Sequence, residues 1–414
     1  MADLFYVDKI SEQTVSYQDL LNDIRTLSHY NKYCKSNDYY IVFRSIIFSL
    51  LLDKEIVLLD EDLSLEEIEN QIGQKEFDTN ISLSEIELLN EITTIDELFQ
   101  RCTGNPTNWR ITLFTSGTTG LPKMIKHDFS SISRSVKKSV KHADAIWGFA
   151  FNPTHMAGIQ VFFQAFLNRN IIIRLFRLER EDILKQIRDF QITRLSATPT
   201  FYRLLLPADV ICPSVLSLTS GGERFDRKTI ESLGLMFPNA KITNVYASTE
   251  AGAVFASNGE FFSIKPSFFD FVKIENNELY LHKSIMGDSD SLQLNNNWYA
   301  TGDIVDVICE IPLQFSFVNR KNEMINVGGY KVNPAEVEDV IRSIPGIKEV
   351  RVYGKKNSLL GNLICAEVVR TDNIITEPEI RIMLQNRLQE FKIPRFIKFM
   401  DNIEITRTGK IKRN

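Results

Sequence analysis

A short segment rich in glycine and in hydroxyl-bearing residues carries groups that bind phosphate. It follows an apolar run that predicts a strand, and it precedes Lys123 by two residues. The segment consists of Thr115, Ser116, Gly117, Thr118, Thr119 and Gly120. Glycines allow a tight turn that brings backbone N–H groups close to a ligand, and the hydroxyls add donors. The segment therefore predicts a phosphate-binding loop, with a polar surface loop as the alternative that the residues alone leave open.

This loop differs from the Walker A motif, in which lysine directly follows the second glycine. Here Leu121 and Pro122 separate Gly120 from Lys123. The segment is therefore not a Walker A loop.

Polar clusters also follow two later apolar runs that predict strands. The residues Leu216 to Leu218 lead into Thr219–Glu223, and Ile242 to Val245 lead into Tyr246–Glu250. Open α/β sheets bind ligands at the carboxyl ends of their strands. The two clusters are therefore expected at one ligand-binding edge of a sheet.

Two further charged residues stand in short Thr-Gly motifs. Asp303 ends the motif Thr301-Gly302-Asp303, and Lys410 lies near the end of the sequence. Taken alone, the first motif is typical of a β-turn and the second of a frayed terminus. Their importance depends on the rest of the chain.

The elements that position these groups alternate between helix and strand patterns, which favours an α/β fold. Asp38 is expected to cap a helix that runs to Leu52, and Glu55 begins a buried strand. Near the C-terminus, Asn333 is expected to cap a helix with Pro334 at its first position. Another helix begins at Thr376, with one apolar face formed by Ile380, Met383, Leu384 and Leu388.

Composition describes an ordinary globular protein. With 414 residues the chain exceeds the size of about 250–300 residues at which a single core stops growing, so two domains are expected. The net charge of −5 offers no electrostatic footprint for nucleic acid. A basic cluster, Arg134, Lys137, Lys138 and Lys141, is interpreted as the solvated face of the helix after the phosphate loop.

Cysteine spacing and hydropathy indicate a cytoplasmic protein. The five cysteines are far apart and form no C-x-x-C pair, as expected for reduced and mostly buried thiols. No secretory signal is expected at the start of the sequence. The most apolar segment, Ile41 to Leu52, is shorter than the roughly 20 residues that a bilayer span needs, so no membrane span is expected.

The string TSGTTGLPK resembles the signature loop of the AMP-forming adenylating enzymes, which include acyl-CoA synthetases, aryl-CoA ligases and adenylation domains. Later motifs follow in the order of that family. The resemblance implies an α/β fold with a large N-terminal domain of layered sheets and helices and a small α+β C-terminal lid. We place these domains at residues 1–321 and 322–414. The region before the loop is shorter than is usual in the family.

The resemblance also assigns nucleotide contacts. The loop and Lys123 would hold the outer phosphates of ATP, Thr249 the α-phosphate, and Glu250 a Mg²⁺ ion. Adenine would lie against Gly221, Gly222 and Glu223 with Tyr246 on its face, and the ribose would bind Asp303 and Arg320. Neighbouring contacts would come from Asn244, Ala247 and Ser248. The family mostly has glycine at position 247, and we expect alanine to be tolerated there. Lys410 would be the catalytic lysine of adenylation.

A carboxylic acid is the implied second substrate. Its pocket would involve His155, Gly158, Gly222, Ala251 and Gly329, with space left by the small residues after Glu250. Amino-acid-activating domains have an aspartate near the position of His155, and the segment from Phe149 contains none. An acid without an α-amine is therefore favoured.

The acceptor is expected to be a thiol. Asn322 occupies the position of the family's hinge residue, which is usually Asp or Lys, and the loop Gly328-Gly329-Tyr330 would line the thiol tunnel. Coenzyme A is the favoured acceptor, and a carrier-protein phosphopantetheine is the alternative. A non-catalytic nucleotide-binding module is a remoter alternative, which the presence of Lys123, Glu250, Asp303 and Lys410 opposes.

Overall fold

The computed structural model describes residues 3–72, 78–80, 82–104, 106–115, 123–223, 225–259, 261–310, 313–327, 330–357, 361–371, 374–385, 387–406 and 411–412. Strands in these ranges are β1 (Leu4–Asp8), β2 (Gln13–Ser16), β3 (His29–Asn31), β4 (Tyr33–Lys35), β5 (Ile56–Leu59), β6 (Asp78–Asn80), β7 (Arg110–Thr115), β8 (Lys123–Asp128), β9 (Ile146–Phe149), β10 (Ile171–Arg174), β11 (Arg194–Ala197), β12 (Ser217–Gly221), β13 (Lys241–Ser248), β14 (Gly252–Ser257), β15 (Phe262–Ser263), β16 (Val272–Glu275), β17 (Glu278–His282), β18 (Leu294–Asn295), β19 (Trp298–Glu310), β20 (Leu313–Arg320), β21 (Ile325–Val327), β22 (Tyr330–Val332), β23 (Ile347–Asn357), β24 (Gly361–Arg370) and β25 (Phe396–Phe399).

The helices are α1 (Tyr17–Thr26), α2 (Tyr39–Leu51), α3 (Leu65–Ile72), α4 (Leu83–Asn90), α5 (Ile95–Thr103), α6 (Phe129–Ser133), α7 (Val140–Ala143), α8 (Met156–Phe166), α9 (Arg180–Asp189), α10 (Pro199–Leu204), α11 (Arg227–Met236), α12 (Pro334–Arg342) and α13 (Glu377–Gln385). Among the described helices, none is long and apolar enough to cross a bilayer.

Four larger sheets carry the architecture. An eight-stranded sheet has the order β14-β13-β12-β11-β9-β10-β1-β2, and the path from β13 to β1 within it is parallel. A second sheet, β4-β5-β7-β8, carries the phosphate-loop strand β7. A third contains β15-β20-β19-β17-β16 with β18 beside β19, and the fourth contains β22-β21-β24-β23 with β25 beside β24. The mixed α/β fold expected from the sequence is confirmed.

The first two sheets share an aromatic core built around α2 and α8. Phe43 of α2 stacks on Phe162 of α8 with ring centroids 4.7 Å apart, and both side chains are fully buried. The C-terminal elements have a separate core, formed by buried residues from Ile325 to Ile397. This division gives a large body and a small C-terminal unit; the boundary at residue 322 stays a prediction.

Helix starts follow local capping. The Asp38 side chain accepts hydrogen bonds from the backbone N–H groups of Tyr40 and Ile41, and α2 runs as predicted. Asn333 caps α12 in the same way, with Pro334 at the first position. In α13, Ile380 and Leu384 are buried, but Met383 is 42% exposed, so its predicted place on the apolar face is wrong.

The basic cluster after the phosphate loop does not lie on one helix, contrary to prediction. The helix α6 ends at Ser133, and Lys137 and Lys138 lie in the connection to the short helix α7. Arg134 donates hydrogen bonds to the carbonyls of Ile285 and Ala251, which ties it to the body. The three lysines are exposed, as expected.

The five cysteines are unpaired. Cys34, Cys102, Cys212 and Cys365 are buried, and Cys309 is exposed. This pattern agrees with the expectation of mostly buried thiols. The cytoplasmic location itself stays a prediction.

A buried ion pair links β1 to β10, and we expect its loss to destabilise the body strongly. Asp8 is 1% exposed and accepts a hydrogen bond from Arg174 at 2.8 Å. Replacing Arg174 with alanine leaves that carboxylate buried without its cation, which should lower the free energy of unfolding by about 3–5 kcal/mol. Urea denaturation measures the change. Arg227→Ala, which removes an exposed pair with Glu231, should stay within about 0.5 kcal/mol.

The pair of Asp8 and Arg174 should also make the free energy of unfolding depend on pH. Burial raises the pKa of Asp8, but hydrogen bonds from Arg174 and Ser11 outweigh it and leave the pKa below the usual value. A carboxyl group with a depressed pKa in the folded state stabilises the fold above its unfolded pKa of about 3.9, and this contribution is lost as the pH falls. The difference between wild type and Arg174→Ala should therefore shrink below about pH 4. A difference that is constant between pH 3 and pH 7 would contradict this role.

Candidate active site

A cavity of about 2980 Å³ lies between the eight-stranded sheet, the third sheet and the small C-terminal unit. Most of the described residues that were predicted to bind the nucleotide line it. They are Lys123, Gly221, Gly222, Glu223, Asn244, Tyr246, Ala247, Ser248, Thr249, Glu250, Asp303 and Arg320. Three parts of the predicted site lie outside the described residues: Ser116–Gly120 of the phosphate loop, Gly329 and Lys410. The cavity therefore brings together residues from segments about 200 positions apart.

Strand pairing brings together the two residues that flank the predicted phosphate loop. Thr115 ends β7 opposite Lys123, the first residue of β8, so the two strands flank the loop. The neighbouring parallel strand β5 ends at Leu59, and Asp60 follows it on the cavity wall. Thr115 and Lys123 therefore lie at the carboxyl edge of the second sheet.

Asp303 forms the centre of a polar contact between the first and third sheets. Its Oδ2 atom accepts a hydrogen bond from the Tyr246 hydroxyl at 2.6 Å, and its Oδ1 atom accepts one from Arg320 Nε at 2.8 Å. Burial and the neighbouring Asp303 carboxylate raise the pKa of Tyr246, so its phenol stays protonated and donates. Each carboxylate oxygen keeps a further lone pair for a ligand hydroxyl. The carboxylate is therefore held in place but can still accept hydrogen bonds.

Tyr246 also has a packing role. Its ring stacks on Phe317 with centroids 4.5 Å apart and an interplanar angle of 13°. Ala247 follows it in β13 and does not have a positive φ, so the strain that glycine would relieve does not arise. The backbone conformation at this position thus suits alanine, and its tolerance in the working site stays a prediction.

Gly221 and Gly222 bring bare backbone to the cavity. A Cβ atom on Gly221 would lie 2.8 Å from the carbonyl oxygen of Val245, and Gly222 has a φ of 85°. The next residue, Glu223, also lines the cavity, and its Oε2 atom accepts hydrogen bonds from both the backbone N–H and the hydroxyl of Thr200. The two glycines therefore offer bare backbone to a ligand at this part of the cavity wall, and their contact with adenine stays a prediction.

The backbone of the turn that carries Thr249 and Glu250 is held by hydrogen bonds from other segments of the chain. Three consecutive carbonyls in it each accept a hydrogen bond. The donors are His127 Nε2 to Thr249 at 2.7 Å, Gly287 N to Glu250 at 2.7 Å and Arg134 Nη2 to Ala251 at 2.5 Å. With the backbone held, the side chains of Thr249 and Glu250 line the cavity.

Glu250 suits a magnesium ion shared with phosphates. Its carboxylate lines the cavity, and no described side chain hydrogen-bonds to it. Within the described ranges, no group of three or more His, Cys, Asp and Glu side chains forms a metal site made of protein ligands alone. Mg²⁺ commonly binds one or two carboxylates together with substrate phosphates and water. The residues present fit that mode.

His127 was not given a role from the sequence, although alternation with Ile125 along β8 places it on the buried side. Because Thr249 O only accepts, Nε2 carries the proton, and Nδ1 accepts from the Ser131 hydroxyl at 2.9 Å. Burial lowers the pKa of His127, which keeps the imidazole neutral near pH 7. His127 therefore positions the Thr249–Glu250 turn.

We expect His127→Ala to lower kcat/KM for ATP about tenfold and to raise the Mg²⁺ concentration needed for half-maximal activity, because partners that orient metal-binding groups contribute about that much. A magnesium titration at saturating ATP measures the shift. His29→Ala, which alters an exposed histidine, should leave the titration unchanged. An unaltered magnesium midpoint in His127→Ala would contradict the positioning role.

Only some of the residues predicted to form the acid pocket line the cavity. His155 precedes α8 without capping it and lines the cavity, with Nε2 3.1 Å from Asp60 Oδ1. Asp60 also accepts hydrogen bonds from Asn152 and Thr154. Asp60 was not predicted as a site residue from the sequence, because it lies 95 positions before His155. The one signal for it was its position directly after a buried strand, where α/β sheets bind ligands.

Gly158 and Ala251 do not line the cavity. A Cβ atom on Gly158 would lie 2.2 Å from the carbonyl oxygen of Asn152, so this glycine permits close packing at the start of α8. Ala251 is fully buried among the apolar side chains of the third sheet. Gln160 and Ala253 are on the cavity wall instead.

The small C-terminal unit contacts the body beside the residues predicted to bind adenine. Arg203 of α10 is 8% exposed and donates to Glu349 at 2.8 Å, while Arg342 contacts the other oxygen of Glu349 at 3.2 Å. The backbone N–H of Ile411 donates to Glu223 Oε1 at 3.1 Å. The C-terminal segment therefore reaches the cavity wall.

This architecture of a sheet-bearing body and a small C-terminal unit is that of adenylating enzymes. One family profile, AMP-binding enzyme, matches residues 48–269, and a second, AMP-binding enzyme C-terminal domain, matches residues 336–410. The chain belongs to the AMP-binding enzyme family.

The chain is also similar in sequence to curated proteins and similar in fold to solved structures. The chain is 26% identical over 333 residues to a 2-succinylbenzoate–CoA ligase of Bacillus licheniformis, with 73% of this chain and 68% of that protein covered. It is 22% identical to a 2-succinylbenzoate–CoA ligase of Staphylococcus epidermidis, with 97% and 92% covered. ATP-bound MatB from Rhodopseudomonas palustris has a similar fold, with a TM-score of 0.74, 17% identity and coverage of 99% and 94%. O-succinylbenzoate coenzyme A synthetase of Bacillus subtilis, in complex with ATP and magnesium, has a TM-score of 0.70, 19% identity and coverage of 99% and 95%.

Proposed function

We propose that this protein is an ATP-dependent, AMP-forming ligase that activates a carboxylic acid as an acyl-adenylate and transfers it to coenzyme A. The observation that carries the proposal is the convergence of Glu250, Asp303 and Arg320 on one cavity whose wall also holds Ile411, the residue after Lys410. The relatives named as CoA ligases support the same reaction.

The first step joins the acid to the α-phosphorus of ATP. A carboxylate oxygen of the acid attacks that phosphorus, the bond to the bridging oxygen breaks, and pyrophosphate leaves. The protein contributes positioning and charge neutralisation rather than covalent chemistry. Asp303 and Arg320 hold the ribose, Lys123 and the loop hold the outer phosphates, and Lys410 neutralises charge at the attacked phosphate.

Magnesium, held by Glu250, would neutralise phosphate charge when bound. The fixed turn keeps the Glu250 carboxylate at the cavity without a competing partner among the described side chains. Thr249, on the same turn, would hydrogen-bond to the α-phosphate.

The second step transfers the acyl group to a thiol. The thiol sulfur attacks the carbonyl carbon and AMP leaves. We propose that the C-terminal unit rotates about Asn322 between the steps and brings in the loop Gly328-Gly329-Tyr330. In the present arrangement Tyr330 stacks on Phe391 of its own unit, with centroids 4.5 Å apart.

The acid is proposed to lack an α-amine. Asp60 is the acidic side chain beside His155, and it accepts hydrogen bonds from Asn152 and Thr154 and contacts His155 itself. These contacts leave it poorly suited to a substrate ammonium group.

The test is ATP-dependent release of pyrophosphate and AMP with fatty, aryl, dicarboxylic and amino acids, first with coenzyme A and then with a holo carrier protein. We expect AMP formation that requires a non-amino acid and is completed by coenzyme A. Turnover with the carrier protein alone would change the acceptor, and activity with amino acids alone would overturn the substrate assignment. Failure to form AMP with every acid would overturn the proposed function.

A further inference from the structure

Charged side chains from the body and from the C-terminal unit meet in one buried cluster beside the cavity. Arg203 of α10 donates from Nε to Glu349 at 2.8 Å, and Arg342 of α12 contacts the other oxygen of Glu349 at 3.2 Å. Asp226, which caps α11, lies 3.6 Å from Arg203. These four side chains are only 8–16% exposed. The cluster therefore contains one cation and one carboxylate from each unit.

The charges in this cluster stabilise one another across the contact between the units. Burial raises the pKa of Asp226, but hydrogen bonds at the start of α11 and the positive charges of Arg342 and Arg203 outweigh it and lower the pKa. Burial lowers the pKa of Arg342, but the carboxylates of Glu349 and Asp226 outweigh it and raise the pKa. A buried ion that loses its partner is left uncompensated, which is costly. The cluster therefore favours the docked position of the C-terminal unit.

Glu223 connects this cluster to the segment that carries the predicted catalytic lysine. Its Oε2 atom accepts from the hydroxyl of Thr200 at 2.7 Å, and the same hydroxyl accepts from Arg203 at 2.9 Å. Its Oε1 atom accepts from the backbone N–H of Ile411 at 3.1 Å. Thr200 and Arg203 therefore orient the Glu223 carboxylate so that one oxygen faces the body and the other holds the backbone next to Lys410.

The same segment is also held from within its own unit. Arg351 of β23 donates to the carbonyl of Lys412 at 2.7 Å. A rotation of the C-terminal unit carries this contact along unchanged, because both partners belong to that unit. The contacts of Glu223 and Arg203 cross between the units, so the same rotation breaks them. The two crossing contacts are therefore specific to the present orientation of the C-terminal unit.

We propose that Glu223 and Arg203 are positioning residues that dock the C-terminal unit, hold Lys410 at the nucleotide during adenylation, and release the unit before thiol transfer. The Glu223 carboxylate then acts through the backbone of Ile411, the residue after the lysine, in addition to its predicted place beside adenine. A contact made in only one of two orientations shifts the equilibrium toward that orientation. This inference rests on the proposed ligase function, because it concerns the first step of that reaction.

Separate measurement of the two half-reactions tests the docking contact. Arg203→Gln and Glu349→Gln each remove one charge, from opposite units. We expect each variant to release pyrophosphate about tenfold more slowly, the effect of losing a hydrogen bond between charged groups. Transfer from preformed acyl-adenylate to coenzyme A should stay within about twofold of the parent protein. The double variant should be no slower than the slower single variant, because both changes remove the same contact. Glu181→Gln, which changes an exposed carboxylate of α9, should leave both rates unchanged.

The orientation of the C-terminal unit can be measured without turnover. Cys309 is exposed on the body while the other four cysteines are buried, and Lys398→Cys adds an exposed thiol on β25. Single-molecule energy transfer between fluorophores on these two thiols, with α,β-methylene-ATP present, should show one main population for the docked orientation. We expect Glu349→Gln to lower the ratio of this population to the remainder by about tenfold.

The outcomes separate the docking site from the ligase function. An unchanged energy-transfer distribution in Glu349→Gln, or equal losses in both half-reactions, would overturn the inference. If Arg203→Gln fails to fold, Glu349→Gln tests the same contact from the other unit and leaves Asp226 as a counterion for Arg203. A shifted distribution in a protein that forms no AMP with any acid would overturn the proposed function and leave the docking site supported.

Discussion

Replacing Asp303 with alanine is expected to lower kcat/KM for ATP by about 10²- to 10⁴-fold. Asp303 is 5% exposed, and its carboxylate is oriented by Tyr246 and Arg320. If it accepts both ribose hydroxyls, two hydrogen bonds to a charged group are lost, each of about 1.5–3 kcal/mol. At 1.36 kcal/mol for each factor of ten, the sum of about 3–6 kcal/mol corresponds to a loss of about 10²- to 10⁴-fold.

Binding and folding must be separated in this experiment. The variant also leaves the Tyr246 hydroxyl and the Arg320 guanidinium without their shared acceptor, so thermal melting is measured beside ATP affinity. Asp306→Ala is the matched control, since Asp306 lies on the same strand β19 and is exposed. Tyr246→Phe keeps the stacking on Phe317 and should cost only a few-fold in kcat/KM. An Asp303→Ala protein that melts as wild type and binds ATP with unchanged affinity would contradict the ribose role.

The nucleotide side of the cavity was largely predictable because its groups sit at strand ends. Strand periodicity locates Gly221 and Tyr246, and the parallel order of β12 and β13 brings them to one edge. Capping also depends on neighbours in sequence, which explains why the starts of α2 and α12 were predicted correctly. The same local reasoning wrongly predicted that Met383 would be buried. Met383 lies at the margin of the apolar face of its helix, and tertiary packing decides whether such a position is buried.

The acid side of the cavity was less predictable. Asp60 and His155 meet across two different sheets, and His127 reaches Thr249 across 122 positions, so no local pattern records either contact. Gly158 illustrates the opposite error. Its place near His155 suggested a pocket residue, but its lack of a side chain serves the packing of α8 against Asn152. Contacts between distant segments, rather than residue types, determine this half of the site.

Replacing Lys410 with alanine is expected to slow adenylation by about 10²- to 10³-fold, or roughly 3–4 kcal/mol, the effect of removing one donor that acts mainly in the transition state. Lys410 lies outside the described residues, but the chain on both sides of it is placed. Ile405 and Ile411 form an antiparallel bridge, and Arg351 donates to the carbonyl of Lys412 at 2.7 Å. The hydrogen bond from Ile411 to Glu223 then anchors this segment beside the predicted adenine contacts.

The two half-reactions distinguish a catalytic lysine from a structural one. Adenylation is measured as the release of pyrophosphate. Thiol transfer is measured separately, with preformed acyl-adenylate and coenzyme A. Loss of Lys410 should slow the first and spare the second, since the proposed rotation about Asn322 removes the lysine before transfer. Lys412→Ala is the matched control, because the Lys412 ammonium pairs with Glu404 at the surface and should change neither rate more than about twofold. Equal losses in both half-reactions for Lys410→Ala would show that the residue supports the fold of the C-terminal unit instead, and the assigned role in adenylation would be wrong.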